Sequence, residues 1–257
     1  PMKYVLVTGA ASGLGKHLTL KYAELGYTVY ALDIDKNNLA NLPKENIIPL
    51  CMNIASEESW DRDVLPRLEA DNKGLDIVIA CAAVMHIGSA EDCSVEDWNR
   101  VNGINLTGQY LTAKKMMKYL RQNKGNILFI GSPSALLAVR DEVCYVTFKH
   151  AVRGLSKSVA FDFGVDGIRA NVVHPGWMRT AMSDVEMQEI MERDQVSLDE
   201  AYATATRFVP LRRPGSLDEI WYPIEFLTSD KAAYITGAEL TVDGGLSIVD
   251  PGMVGFM

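Results

Sequence analysis

The stretch Thr8-Gly9-Ala10-Ala11-Ser12-Gly13-Leu14-Gly15 decides the fold, because it follows a short β-rich run directly and begins an amphipathic segment that ends near Leu25. Gly9 permits a tight turn, while Gly13 and Gly15 let backbone approach a pyrophosphate and let a helix pack on a strand. Unsatisfied N–H groups at the start of such a helix attract phosphate. The spacing predicts strand, phosphate-binding turn and helix; a glycine-rich turn without a ligand is the alternative.

Short β-rich runs alternate with longer amphipathic segments along the whole chain. This alternation indicates a parallel sheet, and continuously apolar runs such as Ile77-Val78-Ile79-Ala80 are typical of strands covered on both faces. We expect an α/β fold, a Rossmann-type doubly wound parallel sheet, in a single domain over residues 1–257. The predicted strands are 4–7, 28–32, 47–51, 77–80, 127–130, 170–173 and 240–242.

Composition narrows the classes of function. The chain is 48% hydrophobic and 23% charged, with a net charge of -8 and no Lys/Arg-rich run, so a nucleic-acid partner is not expected. No apolar stretch reaches the roughly 18 residues that span a bilayer, and the first residues lead into a strand, so we expect a cytoplasmic protein without a membrane partner. The cysteines show neither metal-ligand nor disulfide-framework spacing; they are Cys51, Cys81, Cys93 and Cys144.

Residues 181–209 interrupt the strand–helix rhythm. We expect a helical flap over the active site here, with a solvated helical pair that has an ordinary core-facing stripe as the alternative. Apolar side chains are interleaved with seven acids, which are Asp184, Glu186, Glu189, Glu192, Asp194, Asp199 and Glu200.

Asp33 predicts the preferred dinucleotide. It ends the second predicted strand, about 20 residues past the glycine loop, where a carboxylate accepts hydrogen bonds from the adenosine ribose. The same charge repels a 2'-phosphate, and Ser12 leaves the loop without an Arg or Lys that would neutralise one. Both residues favour NAD over NADP; a solvated turn residue beside Asp35 is the alternative interpretation of Asp33.

Tyr145 and Lys149 lie four residues apart and therefore share one face of a helix. A nearby ammonium favours the phenolate and is expected to lower the tyrosine pKa, so that Tyr145 acts as acid and base. Ser132, which follows the fifth predicted strand, is expected to hydrogen-bond the substrate oxygen. Tyr110 and Lys114 have the same spacing, but they lie in mid-helix without such a neighbour.

The chain resembles the short-chain dehydrogenase/reductase family over residues 8–245. This resemblance implies a dehydrogenase or carbonyl reductase in which Asn105 holds a water in a proton relay to Lys149, and Lys149 also binds the nicotinamide ribose. An Asn that caps or bends its helix is the alternative. The resemblance also implies a homotetramer, with the helices around 98–121 and 143–164 at one interface. Its motifs are the Thr-Gly-x-x-x-Gly-x-Gly loop, Asn105, Ser132, Tyr145 with Lys149, His174-Pro175-Gly176 and Val242-Asp243-Gly244-Gly245.

Further cofactor contacts are implied by the same resemblance. Thr180 and the backbone near Trp177 are expected against the nicotinamide carboxamide, with a simple turn after a proline as the alternative. Asn53 replaces the usual Asp at the adenine amino group but keeps an acceptor oxygen, and Ala80-Cys81-Ala82-Ala83 replaces the usual Asn-Asn-Ala-Gly. The predicted set is Gly9, Ser12, Gly13, Leu14, Gly15, Asp33, Ile34, Asn53, Ile54, Ala82, Tyr145, Lys149, Pro175, Gly176, Trp177, Met178 and Thr180.

These residues predict an NAD-dependent oxidoreductase, without a metal, that acts on a small-molecule secondary alcohol or ketone. The alternatives are an NADPH-dependent 3-oxoacyl reductase, against which Asp33 and Ser12 argue, and a non-catalytic dinucleotide-sensing protein, against which the intact catalytic set argues. An apolar substrate pocket is expected from Met85, Leu136, Leu137, Val139, Trp177 and Met182.

Residues 246–257 form a tail beyond the family resemblance. Its apolar side chains need burial, whereas Pro251, Gly252 and Gly255 argue against a helix. We expect an extended segment docked on a partner subunit, with a tail packed on its own subunit as the alternative.

Overall fold

All seven predicted β-rich runs form strands, and the strands join in one parallel sheet of order β3-β2-β1-β4-β5-β6-β7. The computed structural model describes residues 2–250 and residue 252. The strand order reverses between β1 and β4, which is where doubly wound sheets open a ligand crevice. The prediction of a doubly wound α/β sheet is confirmed. The strands are β1 Tyr4–Thr8, β2 Thr28–Asp33, β3 Ile47–Cys51, β4 Ile77–Ala80, β5 Asn126–Ile130, β6 Arg169–Pro175 and β7 Glu239–Val242.

Helices connect the strands and cover both faces of the sheet. Strand β4 shows how, because Ile77 and Ile79 pack into one apolar layer while Val78 and Ala80 pack into the other. Burying an aliphatic side chain of this size contributes about 2 kcal/mol. The helices are α1 Gly13–Glu24, α2 Lys36–Ala40, α3 Glu57–Ser59, α4 Leu65–Asp71, α5 Val95–Asn102, α6 Gly108–Asn123, α7 Val143–Phe163, α8 Ala181–Asp194, α9 Leu198–Ala205 and α10 Leu217–Thr228.

The helix expected around 98–121 is longer and is interrupted by a π turn. Helix α5 continues through the π turn Gly103–Thr107 into α6, and the N–H of Gly108 bonds the carbonyl of Gly103 five residues earlier. Such turns accommodate one extra residue within an α-helix. Asn105 is buried inside this turn.

Residues 181–209 form helices α8 and α9, which pack on each other around Met187, Ala201 and Tyr202. Thr180 begins α8 by accepting a hydrogen bond from the Ser183 N–H at 3.3 Å, and a capping box at Ser197 begins α9. Their role as a substrate flap stays a prediction.

Most of the predicted tail contact falls outside the described residues, because residues 251 and 253–257 are not among them. The preceding segment turns once as a 3-10 helix, Leu246–Ile248. No helix in residues 2–250 is both long and apolar enough to cross a bilayer.

Candidate active site

A cleft of about 290 Å³ lies at the carboxyl ends of the strands. It brings together glycine-loop residues after β1, the end of β2, the loop after β4 and the first turns of α7. From the set predicted to contact the cofactor, the cleft is lined by Gly9, Ser12, Gly13, Leu14, Gly15, Asp33, Ile34, Asn53, Ile54, Ala82, Tyr145, Lys149, Met178 and Thr180.

The glycine loop forms a cradle that larger residues would fill. Gly9 adopts a φ of +70°, and a Cβ there would lie 2.9 Å from the Cα of Ala82. A Cβ at Gly15 would lie 2.0 Å from the Gly9 carbonyl oxygen. Ser12 precedes α1 without a side-chain cap bond, so the first N–H groups of α1 are left for a ligand. The loop therefore fits a diphosphate group.

Asp33 has a structural contact that the sequence did not indicate. Its Oδ2 accepts from the Ala11 N–H and its Oδ1 from the Asp35 N–H, both at 3.0 Å, so the carboxylate ties the end of β2 to the glycine loop. Among the described residues that line the cleft, Lys149 is the only cation, and it lies on α7. The Asp33 end thus has negative charge without a balancing cation.

Ser132, Tyr145 and Lys149 form a buried group at the β5 end of the cleft. Tyr145 is 8% exposed and Lys149 is 2% exposed. Ser132 is not among the residues that line the cleft, but it acts on Tyr145 by lowering the pKa of the phenol. The ammonium of Lys149 donates to the Ile130 carbonyl at 2.8 Å and lies 5.4 Å from the Tyr145 ring centre.

Burial dominates the titration of this group. It raises the pKa of Tyr145, the carboxyl of Glu186 raises it further, and the bond with Ser132 opposes both. Burial also lowers the pKa of Lys149 to about 8, because the charged form loses its hydration. The pKa of Tyr145 is therefore raised and not lowered as predicted, because burial is the largest influence on it.

His174 links Ser132 to a charged cluster. Its ring is fully buried, and Nδ1 accepts from the Ser132 N–H at 3.1 Å. Nε2 then donates to Glu239 at 3.1 Å, which fixes the neutral tautomer. Glu239 also pairs with Arg153 at 2.6 Å and Lys157 at 2.8 Å, both on α7. The segment after β5 that carries Ser132 is thereby tied to the helix that carries Tyr145.

Asn105 holds the loop after β4. Its Oδ1 accepts from the Val84 N–H and its Nδ2 donates to the Val84 carbonyl, both at 2.8 Å. Gln109, one turn later, donates to the Ala82 carbonyl at 2.7 Å. Both amide ends of Asn105 are thus engaged with Val84, and the water relay stays a prediction for this residue.

The second Tyr–Lys pair lies on the surface. Tyr110 is 47% exposed, and Lys114 forms an ion pair with Glu57 at 2.8 Å. Structural context therefore separates the two pairs as the sequence predicted.

Several predicted contacts do not line the cleft. Pro175 ends β6 and Gly176 follows it, and Trp177 packs against the small core of α8 and α9. Of the six residues proposed for an apolar substrate pocket, only Met182 lines the cleft. The residues that sequence analysis missed here are Glu142 and Glu186, the two carboxyls that act on Tyr145.

Comparison with known proteins assigns the family. A family profile described as enoyl-(acyl carrier protein) reductase matches residues 9–247. The chain is 30% identical over 253 residues to the 3-oxoacyl-(acyl-carrier-protein) reductase FabG of Thermotoga maritima, covering 96% of this chain and 98% of that protein. Protein MoaE of Klebsiella aerogenes is 47% identical over 146 residues, and this match spans 57% of each chain.

Solved structures give the same result. An oxidoreductase of the short chain dehydrogenase/reductase family from Burkholderia thailandensis has a TM-score of 0.87 at 27% identity, covering 100% of this chain and 97% of that one. Aldohexose dehydrogenase of Thermoplasma acidophilum has a TM-score of 0.89 at 28% identity, covering 97% and 96%. 3-Ketoacyl-(acyl-carrier-protein) reductase of Brucella melitensis, complexed with NADH, has a TM-score of 0.83 at 26% identity, and the match covers 95% of this chain and 98% of that one. The chain belongs to the short-chain dehydrogenase/reductase family of oxidoreductases.

Proposed function

We propose that the protein transfers a hydride between NAD and a secondary alcohol or ketone, with Tyr145 as acid and base. The observation that carries this proposal is the buried grouping of Ser132, Tyr145 and Lys149 at one end of the cleft whose other end holds the glycine loop and Asp33. Oxidation and reduction use the same groups, so cofactor supply sets the direction.

The residues of the cleft fit NAD. The glycine cradle accepts the diphosphate, and Asp33 would accept bonds from the ribose while repelling a 2'-phosphate. The NADH complex of the related Brucella reductase supports a nicotinamide cofactor for this protein. NAD, when bound, supplies the nicotinamide that accepts the hydride, and its reduced form supplies the hydride.

The protein's own residues handle the proton and the substrate oxygen. Tyr145 Oη gives its proton to a ketone oxygen, or takes one from an alcohol. Ser132 Oγ, held by the Ser134 N–H at 3.1 Å, hydrogen-bonds the same substrate oxygen. Lys149, with a pKa of about 8, is largely charged at neutral pH and stabilises the phenolate as the proton leaves.

A panel of ketones with NADH and of alcohols with NAD tests the proposal by absorbance. We expect turnover of at least one member, and none by the Tyr145→Phe variant. Binding of NADH without turnover of any member would instead indicate a dinucleotide-sensing protein.

A second candidate is an NADPH-dependent 3-oxoacyl reductase, whose substrate class is favoured by the Thermotoga relative. Fluorescence titration with NADH and NADPH separates the two, together with assays on a 3-oxoacyl thioester. Tighter binding of NADPH with thioester turnover would replace the first proposal by the second.

A further inference from the structure

Two of the four cysteines are in contact, although they are far apart in the sequence. The Sγ atoms of Cys93 and Cys144 lie 2.9 Å from each other, and the two residues are 51 positions apart. Cys93 lies in the segment that joins β4 to α5, residues 81–94, which we call the β4–α5 segment, and Cys144 lies in the first turn of α7. No other two of the described cysteines form such a contact. The thiol pair therefore connects the β4–α5 segment with the helix that carries Tyr145.

Contacts on both sides of Cys93 hold this part of the chain on α7. Before it, Gly88 forms a short parallel bridge with Glu142. After it, the ring of Trp98 on α5 packs edge to face on Phe148 of α7, with the ring centres 4.7 Å apart. The position of Cys93 beside α7 is thus supported by backbone and aromatic contacts as well as by its own thiol.

The two thiols differ in their access to solvent. Cys93 is partly exposed, whereas Cys144 is fully buried beside Val101 and Phe148. Burial, and then the contact with Cys93, raises the pKa of Cys144 to about 12. Because the thiolate is the reactive form and must be reached by the oxidant, Cys93 is the thiol that reacts first. Cys144 is placed to react with the product.

From this arrangement we infer that Cys93 and Cys144 form a site of reversible oxidation, at which a hydroperoxide converts the two thiols into a disulfide. In the first step Cys93 Sγ attacks a peroxide oxygen, the O–O bond breaks, and Cys93 becomes a sulfenic acid while water or an alcohol leaves. In the second step Cys144 Sγ attacks Cys93 Sγ, the S–S bond forms, and the sulfenic oxygen leaves as water with the thiol proton of Cys144. The two thiols lose two electrons and two protons in total, and these reduce the peroxide.

The disulfide should also affect the proposed active site, a consequence that rests on the proposed hydride transfer. Residues 81–84 of the β4–α5 segment line the cleft, and Tyr145 follows Cys144 directly. A disulfide bond is about 2.05 Å long, so it draws the β4–α5 segment and α7 closer together than the two thiols do. A displacement of the order of 1 Å at a catalytic site is enough for a large loss in rate. The oxidised protein should therefore turn over its substrate more slowly.

Peptide mass spectrometry tests the site without any substrate. The full-length protein is treated with hydrogen peroxide, its remaining thiols are alkylated, and it is digested. We expect two peptides joined through Cys93 and Cys144, which dithiothreitol separates. The Cys93→Ser variant should not form the joined peptides, whereas Cys51→Ser, at an exposed cysteine, is the matched control and should form them as the wild type does. Absence of the joined peptides in the wild type would overturn the inference.

Unfolding and kinetics supply two separate readouts. The disulfide should raise the urea midpoint, because it joins residues 51 positions apart and so restricts the unfolded chain. A lower midpoint would contradict a thiol pair that is already placed for the bond. Oxidation should also lower kcat/KM for a ketone at least about threefold, and dithiothreitol should restore it.

The Cys93→Ser variant should keep its kcat/KM through the same peroxide treatment. A wild-type protein that contains the disulfide and has an unchanged kcat/KM would overturn the effect on the active site. No turnover of any ketone by the reduced protein would instead overturn the proposed function, and the peptide and unfolding measurements would still decide on the disulfide.

Discussion

Replacing His174 with leucine should destabilise the protein by about 3 kcal/mol and lower kcat at least about tenfold. The change leaves the buried Ser132 N–H without its acceptor, which costs about 1–3 kcal/mol, and removes a bond to an ionised group, worth about 1.5–3 kcal/mol. Glu239 keeps its ion pairs with Arg153 and Lys157, so the lower half of the range obtained by adding these two costs applies. A displacement of Ser132 of the order of 1 Å is enough for a large loss in rate.

Urea unfolding and steady-state kinetics measure the two effects. The His174→Asn variant is the matched control, because its Oδ1 can accept from the Ser132 N–H, and it should recover part of both losses. Affinity for NADH should stay close to wild type, since the glycine loop is distant. A leucine variant with wild-type kcat and with stability within about 0.5 kcal/mol would refute the positioning role.

The same network predicts a pH dependence of stability. Burial lowers the pKa of His174 below its ordinary 6.5, although Glu239 opposes this effect. Between the lowered pKa of His174 in the folded state and 6.5, the unfolded chain binds more protons than the folded chain does. The stability that neutral His174 contributes is therefore complete above about pH 6.5 and is lost as the pH falls. The asparagine variant should lack this component in urea titrations.

Four further variants test the other assignments. Tyr145→Phe should abolish turnover but keep the NADH dissociation constant within a few-fold, and Tyr110→Phe, on the surface, should retain activity. Asp33→Ser combined with Ile34→Arg should raise kcat/KM with NADPH relative to kcat/KM with NADH. An unchanged ratio of the two would show that Asp33 does not set the cofactor preference. Deleting residues 251–257 should raise KM for the substrate or loosen the expected homotetramer in light scattering; no change in either would contradict the docked tail.

The sheet could be predicted because its signals are local. Each strand is a short apolar run bounded by polar or glycine-rich residues, and the glycine loop places the first crossover. The pairing of Tyr145 with Lys149 could be predicted equally well, since a four-residue spacing on a helix depends only on local sequence.

The contacts of His174 and Glu239 could not be predicted in this way. The two residues are far apart in sequence, and the register of β6 with β7, in which Val172 pairs with Glu239 and His174 with Thr241, brings them together. Only the strand register, which a single sequence does not specify, reveals this pair.

The effect of Glu186 on Tyr145 was also hidden. Seven acids are spread over 181–209, and their spacing does not show which one acts on Tyr145. The packing of α8 on α9 through Met187 and Tyr202 sets the orientation of α8. The packing of Trp177 was hidden for the same reason, because its partners lie in these helices.

The π turn at Gly103–Thr107 makes this site sensitive to chain length rather than to residue type alone. Because such a turn accommodates one extra residue, deleting one residue within it would restore regular winding and largely keep the phase of α6 relative to α5. The loss would fall on the turn itself, in which Asn105 is buried and holds Val84. Single-residue deletions here should therefore be tolerated less well than substitutions at exposed positions of α6, and a deletion scan would test this.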